Sequence, residues 1–286
     1  MTMKMAIVPV DVLADVKADI IKMVAENELS DYQKWIISER FVLDMPEIDF
    51  APRSIVITAS PNKLYKAVFR YKGREASCFV EAKGGSEDVE RVFADKGLQL
   101  KYIHWFPQKL LAVRSGLCEY GRNNIAYCGE RGSFVRLGTY VSDAEPPGDY
   151  VWRDAVNMAV CGRCGRCIKN CATGAILSDR FLINAEICLT KLNQGSGDLP
   201  DWVSQDAHHA LYGCYRCQEI CPANRGHFDD LEQIVFDEVE TEVMLKSNSY
   251  ADFPEELRKK LWHYDTGAKY ECIPRNLRLM FEGDTR

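Results

Sequence analysis

The sequence predicts an α+β protein with a mixed α/β domain over residues 1–148, a cysteine-rich domain over 149–230 and a helical tail over 231–286. Three observations carry this reading. Helical periodicity at the N-terminus gives way to compact β-branched runs from Asp49 onward. Eight of the twelve cysteines then fall between Cys161 and Cys221. Beyond them the spacing becomes helical again as far as Trp262.

Leu13, Val16, Ile20 and Val24 recur at helical spacing behind Asp11, and a second helix runs from Tyr32 to Phe41, so residues 1–40 are expected to be helical. Ser54-Ile-Val-Ile-Thr58 is a strand, and Tyr65–Arg70 with Ala76–Val80 forms a hairpin around Lys72-Gly73. Gly84-Gly85-Ser86 offers a loop and an N-cap. The helix behind it has Glu87 and Asp88 in its positive first turn, Val89, Val92 and Phe93 as a buried stripe, and Gly97 as its stop. Pro146-Pro147-Gly148 marks a linker. In the tail, an acidic helix over Leu231–Leu245, another over Pro254–Trp262 and a last piece at Pro274–Leu277 are expected to pack against the cluster domain and shield it.

The cysteines begin with Cys161-Gly-Arg-Cys164-Gly-Arg-Cys167-Ile-Lys-Asn-Cys171, continue with Cys188, and end with Cys214-Tyr-Arg-Cys217-Gln-Glu-Ile-Cys221-Pro222. A 4Fe–4S cluster needs four thiolates, and a tight C-x2-C-x2-C turn supplies three of them to one cluster. The fourth cysteine of such a run crosses to the second cluster, as in two-cluster bacterial ferredoxins. Cys161, Cys164, Cys167 and Cys221 are then the ligands of one 4Fe–4S cluster, and Cys171, Cys188, Cys214 and Cys217 those of the other. Zinc sites usually pair one C-x2-C with another, whereas these half-motifs interlock. A disulfide framework is disfavoured in a long chain without a secretory segment. Arg163, Arg166 and Lys169 lie between ligands, as solvated loop charges or as groups that raise cluster potential. Cys78 is expected in a packing role and Cys272 is left over, while His208 and His209, whose adjacent side chains diverge on a helix, are expected to be structural.

A net charge of −6 argues mildly against a nucleic-acid scaffold. No apolar run reaches the ~18 residues of a membrane span, so no membrane partner is expected. The uncommitted thiols point to a reducing cytoplasm, and the clusters to an anaerobic or low-oxygen setting. Ahead of the clusters, Gly121-Arg122-Asn123-Asn124 can present N–H groups, a guanidinium and two amides to a polar ligand, or serve as a structural turn. Cys118 and Cys128 flank that turn.

Leu111-Ala-Val-Arg-Ser-Gly-Leu117, Gly121–Asn124, Gly132–Asp143 and the cysteine pattern with Thr173-Gly-Ala-Ile176 together resemble the epoxyqueuosine reductases and their relatives, the corrinoid reductive dehalogenases. The resemblance spans roughly residues 50–230. It implies a first domain that cradles cobalamin and a ferredoxin-like domain that feeds it electrons, with Arg114, Gly121, Arg122, Asn123 and Asn124 near the corrinoid edge. Where the epoxyqueuosine reductases carry a proton-donating aspartate, this chain reads Lys101-Tyr-Ile-His-Trp-Phe106, which leaves His104 and Tyr102 as candidate catalytic proton donors. Cys118 replaces a glycine of the family pattern. The chain also lacks both the helical-repeat domain with which those reductases contact tRNA and the twin-arginine signal of the dehalogenases.

The expectation is an iron–sulfur oxidoreductase passing electrons through both clusters to a site at the domain interface, there reducing a small organic or modified-nucleoside substrate. The alternative is a non-catalytic electron carrier or reductive activator of a separate corrinoid protein. The expected partners are an electron donor such as ferredoxin or flavodoxin and a small-molecule substrate or corrinoid protein; tRNA is not expected.

Overall fold

The computed structural model of the chain describes residues 3–82, 87–262 and 270–283. The expected loop and N-cap at Gly84-Gly85-Ser86 lie outside the described residues. Its strands are β1 (Lys4–Pro9), β2 (Ser54–Pro61), β3 (Leu64–Tyr71), β4 (Arg74–Glu81), β5 (Leu100–Tyr102), β6 (Glu119–Tyr120), β7 (Ala126–Tyr127), β8 (Val135–Ser142) and β9 (Gln233–Phe236). The longer helices are α1 (Val12–Glu26), α2 (Asp31–Glu39), α3 (Glu87–Ala94) and α4 (Gln108–Arg114) before the cysteines. Short turns α5 (Cys161–Cys164), α6 (Arg166–Lys169), α7 (Leu189–Gln194) and α8 (Arg216–Glu219) carry the cysteines, and α9 (Glu238–Lys246), α10 (Glu255–Trp262) and α11 (Ile273–Gly283) form the tail. The architecture is α+β. The chain divides into two units, residues 1–61 with 84–165 and residues 62–83 with 166–286.

The first unit is built on an antiparallel sheet of order β1-β2-β8-β5. Ile55 and Ile57 of β2 pack with Val12, Leu13 and Val16 of α1 and with Leu111, Ala112 and Val113 of α4. Val56, between them, packs on the opposite face with Val89 and Phe93 of α3 and Tyr140 of β8. Both faces are therefore covered, which is why β2 reads as an unbroken β-branched run. The predicted helices are present as α1, α2 and α3, and Ser30 and Gln33 close a capping box on α2.

One correction falls here. Residues 4–9 form strand β1, with Val8 opposite Ile55, where helix was expected. The segment is too short to show a helical period, and burial of Val8 against β2 decides its state.

The second unit holds a sheet of order β4-β3-β9. The β3–β4 turn is the two-residue Lys72-Gly73, with φ of 49° and 71°, the left-handed pair that such a tight hairpin requires. The acidic helix expected over Leu231–Leu245 begins later, because Gln233–Phe236 pairs parallel with β3 as β9. Ile234 and Phe236 are buried there, a strand alternation hidden inside what looked like a helical run. Phe69 and Phe236 stack with ring centroids 4.8 Å apart. Around them pack Met244, Leu257, Leu261, Ile273 and Leu277 of the tail helices. The tail thus covers the β3–β4 hairpin.

It also holds the cysteine-bearing loops. The fully buried Asn276 donates from Nδ2 to the carbonyls of Asn193 and Leu211, both at 2.9 Å. Among the described residues no helix is long and apolar enough to cross a membrane.

Candidate iron–sulfur site and its surroundings

All eight cysteines of the predicted ligand sets are half-buried and outside disulfides, whereas Cys78, Cys118, Cys128 and Cys272 are buried and outside disulfides. The eight sit on or beside one-turn helices. Gly165, with φ of 63°, reverses the chain between Cys164 and Cys167 in the left-handed region. Cys188 caps α7, and Pro222 follows Cys221 to start a short 3-10 turn. Within the second unit, the Cys214 thiol is pushed up to about 12, first by burial and then by the nearby Cys188 and Cys171 thiols. Cys171 and Cys188 are thus within electrostatic reach of Cys214. Crowded, partly desolvated thiolates are costly on their own and are stabilised by the positive iron of a cluster. Arg163, Arg166 and Lys169 are exposed, the solvated reading of those charges.

His209 belongs to this neighbourhood, which its sequence context had not suggested. Its Nδ1 lies 2.8 Å from the Ala207 carbonyl, so Nδ1–H is the donor there. Nε2 faces Cys214 Sγ at 3.6 Å and accepts from the Tyr215 N–H at 3.4 Å. Burial, and to a smaller extent Arg216, lower its pKa against the opposing Ala207 hydrogen bond, which favours the neutral ring. The available sequence signal was only its place five residues before Cys214.

In the first unit, the turn at Gly121–Asn124 is the tip of the β6–β7 hairpin. The Arg122 N–H donates to Cys161 Sγ at 3.4 Å, so the turn reaches a predicted cluster ligand. A Cβ on Gly121 would sit 2.5 Å from both Asn123 Oδ1 and Tyr127 Cε2, and only glycine fits. Asn123 is buried and donates from Nδ2 to the Tyr127 hydroxyl at 2.9 Å, while its Oδ1 has no hydrogen-bond partner. Asn124 takes the left-handed conformation at φ of 60°, held by Lys109 Nζ on its carbonyl at 2.8 Å.

Arg114 is buried. Its guanidinium pairs with Asp19 at 2.5 Å and Asp15 at 3.7 Å, and lies 4.8 Å over the Trp152 ring. These partners anchor α4 to α1.

Tyr102 and His104 are exposed side by side, with the Tyr102 hydroxyl 3.3 Å from His104 Nδ1. Gln108 Nε2 reaches the Tyr102 hydroxyl at 3.4 Å. His104 meets Trp105 edge-on at 4.7 Å, and Arg40 lies over both Trp105 and Trp35, at 5.4 and 4.8 Å. Trp35, Tyr102 and Trp105 are 42%, 45% and 37% exposed, so this is an open aromatic surface with a cation among the rings.

The model of the 4Fe-4S double cluster binding domain family matches residues 160–224, the stretch that contains all eight cysteines. The chain thus carries a domain for two 4Fe–4S clusters. It is 30% identical over 232 residues to the epoxyqueuosine reductase of Listeria monocytogenes, covering 74% of this chain and 58% of that one. It is 31% identical over 175 residues to that of Bacillus subtilis, covering 61% and 42%. The chain therefore spans about half the length of the curated relatives it matches.

A crystal structure of an epoxyqueuosine reductase with an epoxyqueuosine-modified tRNA stem loop matches 98% of this chain and 77% of its own, at 22% identity and a TM-score of 0.65. The Bacillus subtilis enzyme, with its catalytic aspartate loop swung out of the active site, matches over the same shares at a TM-score of 0.60. These structures establish the fold. By sequence and fold the chain is epoxyqueuosine reductase-like. The expectation that excluded tRNA is overturned, because a solved structure alike over nearly the whole chain holds a tRNA stem loop. Net charge is a poor guide here, because it averages over the whole chain.

Proposed function

We propose that the chain is an iron–sulfur oxidoreductase that reduces epoxyqueuosine in tRNA, with electrons passing through its two 4Fe–4S clusters to cobalamin bound by the first unit. The observation that carries this reading is the hydrogen bond from Arg122 N–H to Cys161 Sγ, which joins the turn assigned to the acceptor cofactor to a ligand of the electron chain.

In this reading Cys161, Cys164, Cys167 and Cys221 hold one cluster, and Cys171, Cys188, Cys214 and Cys217 hold the other. N–H donors such as that of Arg122 stabilise the more negative reduced cluster. Cobalamin fits the turn at one point: Asn123 Oδ1 is a buried acceptor without a partner, and the corrin rim carries amide donors. Gly121 keeps the backbone close, Arg122 offers its guanidinium, and Asn124 is fixed by Lys109. Arg114 supports this turn indirectly, by fixing α4. Bound cobalamin would supply a low-valent cobalt nucleophile.

Removing an epoxide oxygen as water consumes two electrons and two protons. Tyr102 and His104, hydrogen-bonded to each other and open to solvent, are the proton donors of this proposal. Trp35, Trp105 and Arg40 beside them suit stacking of unpaired bases. In this reading the protein works in the cytoplasm, where tRNA is modified and thiols stay reduced.

The test is anaerobic reconstitution followed by gel filtration with cobalamin. Retained cobalamin with a shifted visible spectrum is expected. Intact clusters without any retained corrinoid would leave the carrier reading in its place.

A further inference from the structure

The β6–β7 hairpin pairs Glu119 with Tyr127 and Tyr120 with Ala126. One step further along the same register, Cys118 stands opposite Cys128. The two backbone amides point away from each other, the Cys118 N–H to the Ala112 carbonyl at 3.0 Å and the Cys128 N–H to the Gly132 carbonyl at 2.8 Å. This is the arrangement of a non-hydrogen-bonded cross-strand pair, whose Cα atoms lie about 4.5 Å apart. That separation falls at the short end of the range a disulfide bridges. The two thiols interact with each other directly.

We propose that Cys118 and Cys128 form a redox-active dithiol whose disulfide staples the hairpin that carries Arg122 to Cys161.

Both cysteines pack within the apolar core of the first unit. Apolar packing does not require two thiols directly opposite each other. Here Lys4 and Arg131 bring positive charge to Cys128. The interaction with Cys118, and then those cations, hold Cys128 below the ordinary thiol range, while the same interaction and burial hold Cys118 above it. One partner is thus the nucleophile and the other the resolving thiol. Oxidised glutathione is a sufficient oxidant. The Cys128 thiolate attacks its disulfide and releases one glutathione thiolate. Cys118 then gives up its proton and attacks the mixed disulfide, and the second glutathione leaves. Two protein thiols lose two electrons and two protons, and two glutathiones gain them. At 2% and 0% exposure the pair reacts when the hairpin opens, and strands of two residues open readily.

The test uses the reconstituted holoprotein under argon, equilibrated with oxidised glutathione, then denatured, alkylated and digested. A Cys118–Cys128 crosslinked peptide that vanishes with dithiothreitol is expected, with Cys78 and Cys272 fully alkylated. In Cys118→Ser the resolving thiol is gone, and Cys128 is expected to carry a glutathione adduct instead. Full alkylation of both cysteines in the wild type at a large excess of oxidised glutathione would overturn the proposal. So would crosslinks shared indiscriminately with Cys78 and Cys272. Peptide mass reads out independently of cobalamin and tRNA, so this proposal and the proposed function fail separately.

Discussion

The backbone N–H of Arg122 donates to Cys161 Sγ across 3.4 Å, tying the tip of a hairpin to the first cysteine of the cluster motif. A backbone donor to a cluster thiolate favours the reduced state, because reduction adds negative charge beside it. Arg122→Pro deletes that donor and nothing else from the backbone. The potential of the cluster held by Cys161 should become more negative, read by an electron paramagnetic resonance titration, while Arg122→Ala should leave it nearly unchanged.

Gly121→Ala tests the close approach at the same turn. A methyl group would overlap Asn123 Oδ1 and Tyr127 Cε2, each 2.5 Å away. Overpacking of this kind costs about 1–3 kcal/mol. A fall in the thermal midpoint is expected, with looser retention of any cofactor held by the turn.

Asn276 is the polar keystone of the second unit. It is fully buried and donates to two backbone carbonyls, so Asn276→Ala strips its donor from the Leu211 carbonyl and leaves the Asn193 carbonyl with Arg275 Nη2 at 3.2 Å. The expected loss is about 2–3 kcal/mol, measured by urea unfolding of the holoprotein.

Cys188→Ser removes one ligand of the second proposed set and leaves the first intact. Iron and sulfide, about eight of each in the reconstituted wild type, should fall to about four. A loss of all iron would show instead that the two sets fold as one.

His208 supplies a pH dependence. Burial first, and then the Arg275 charge, lower its pKa from 6.5, and its buried Nδ1 has no partner. Below pH 6.5 the unfolded chain takes up a proton that the folded protein resists, so this contribution to stability is whole above 6.5 and declines as the pH falls. His208→Phe should therefore flatten the thermal midpoint between pH 7 and pH 5 relative to wild type.

Much of this was legible in the sequence, because the strongest signals were local. Ligand spacing needs no tertiary context, and α1, the capped α2 and the Lys72-Gly73 hairpin follow from periodicity and turn chemistry. β1 and β9 were hidden for the same physical reason: each is a short strand whose state depends on a neighbour, β2 or β3, distant in sequence. The partners of Arg114 on α1 and of His209 at Cys214 likewise exist only once the chain is folded. The exclusion of tRNA rested on net charge, which averages over the chain, and on a missing helical-repeat domain, and neither describes a local surface such as that of Trp35, Arg40, Tyr102 and Trp105.

A single turnover tests the central claim most directly. Reconstituted protein, reduced with dithionite and supplied with cobalamin and an epoxyqueuosine-containing stem loop, would be quenched and its nucleosides weighed. The account predicts a product lighter by one oxygen, formed only when both clusters and cobalamin are present. Recovery of unchanged epoxyqueuosine from fully loaded protein would contradict it.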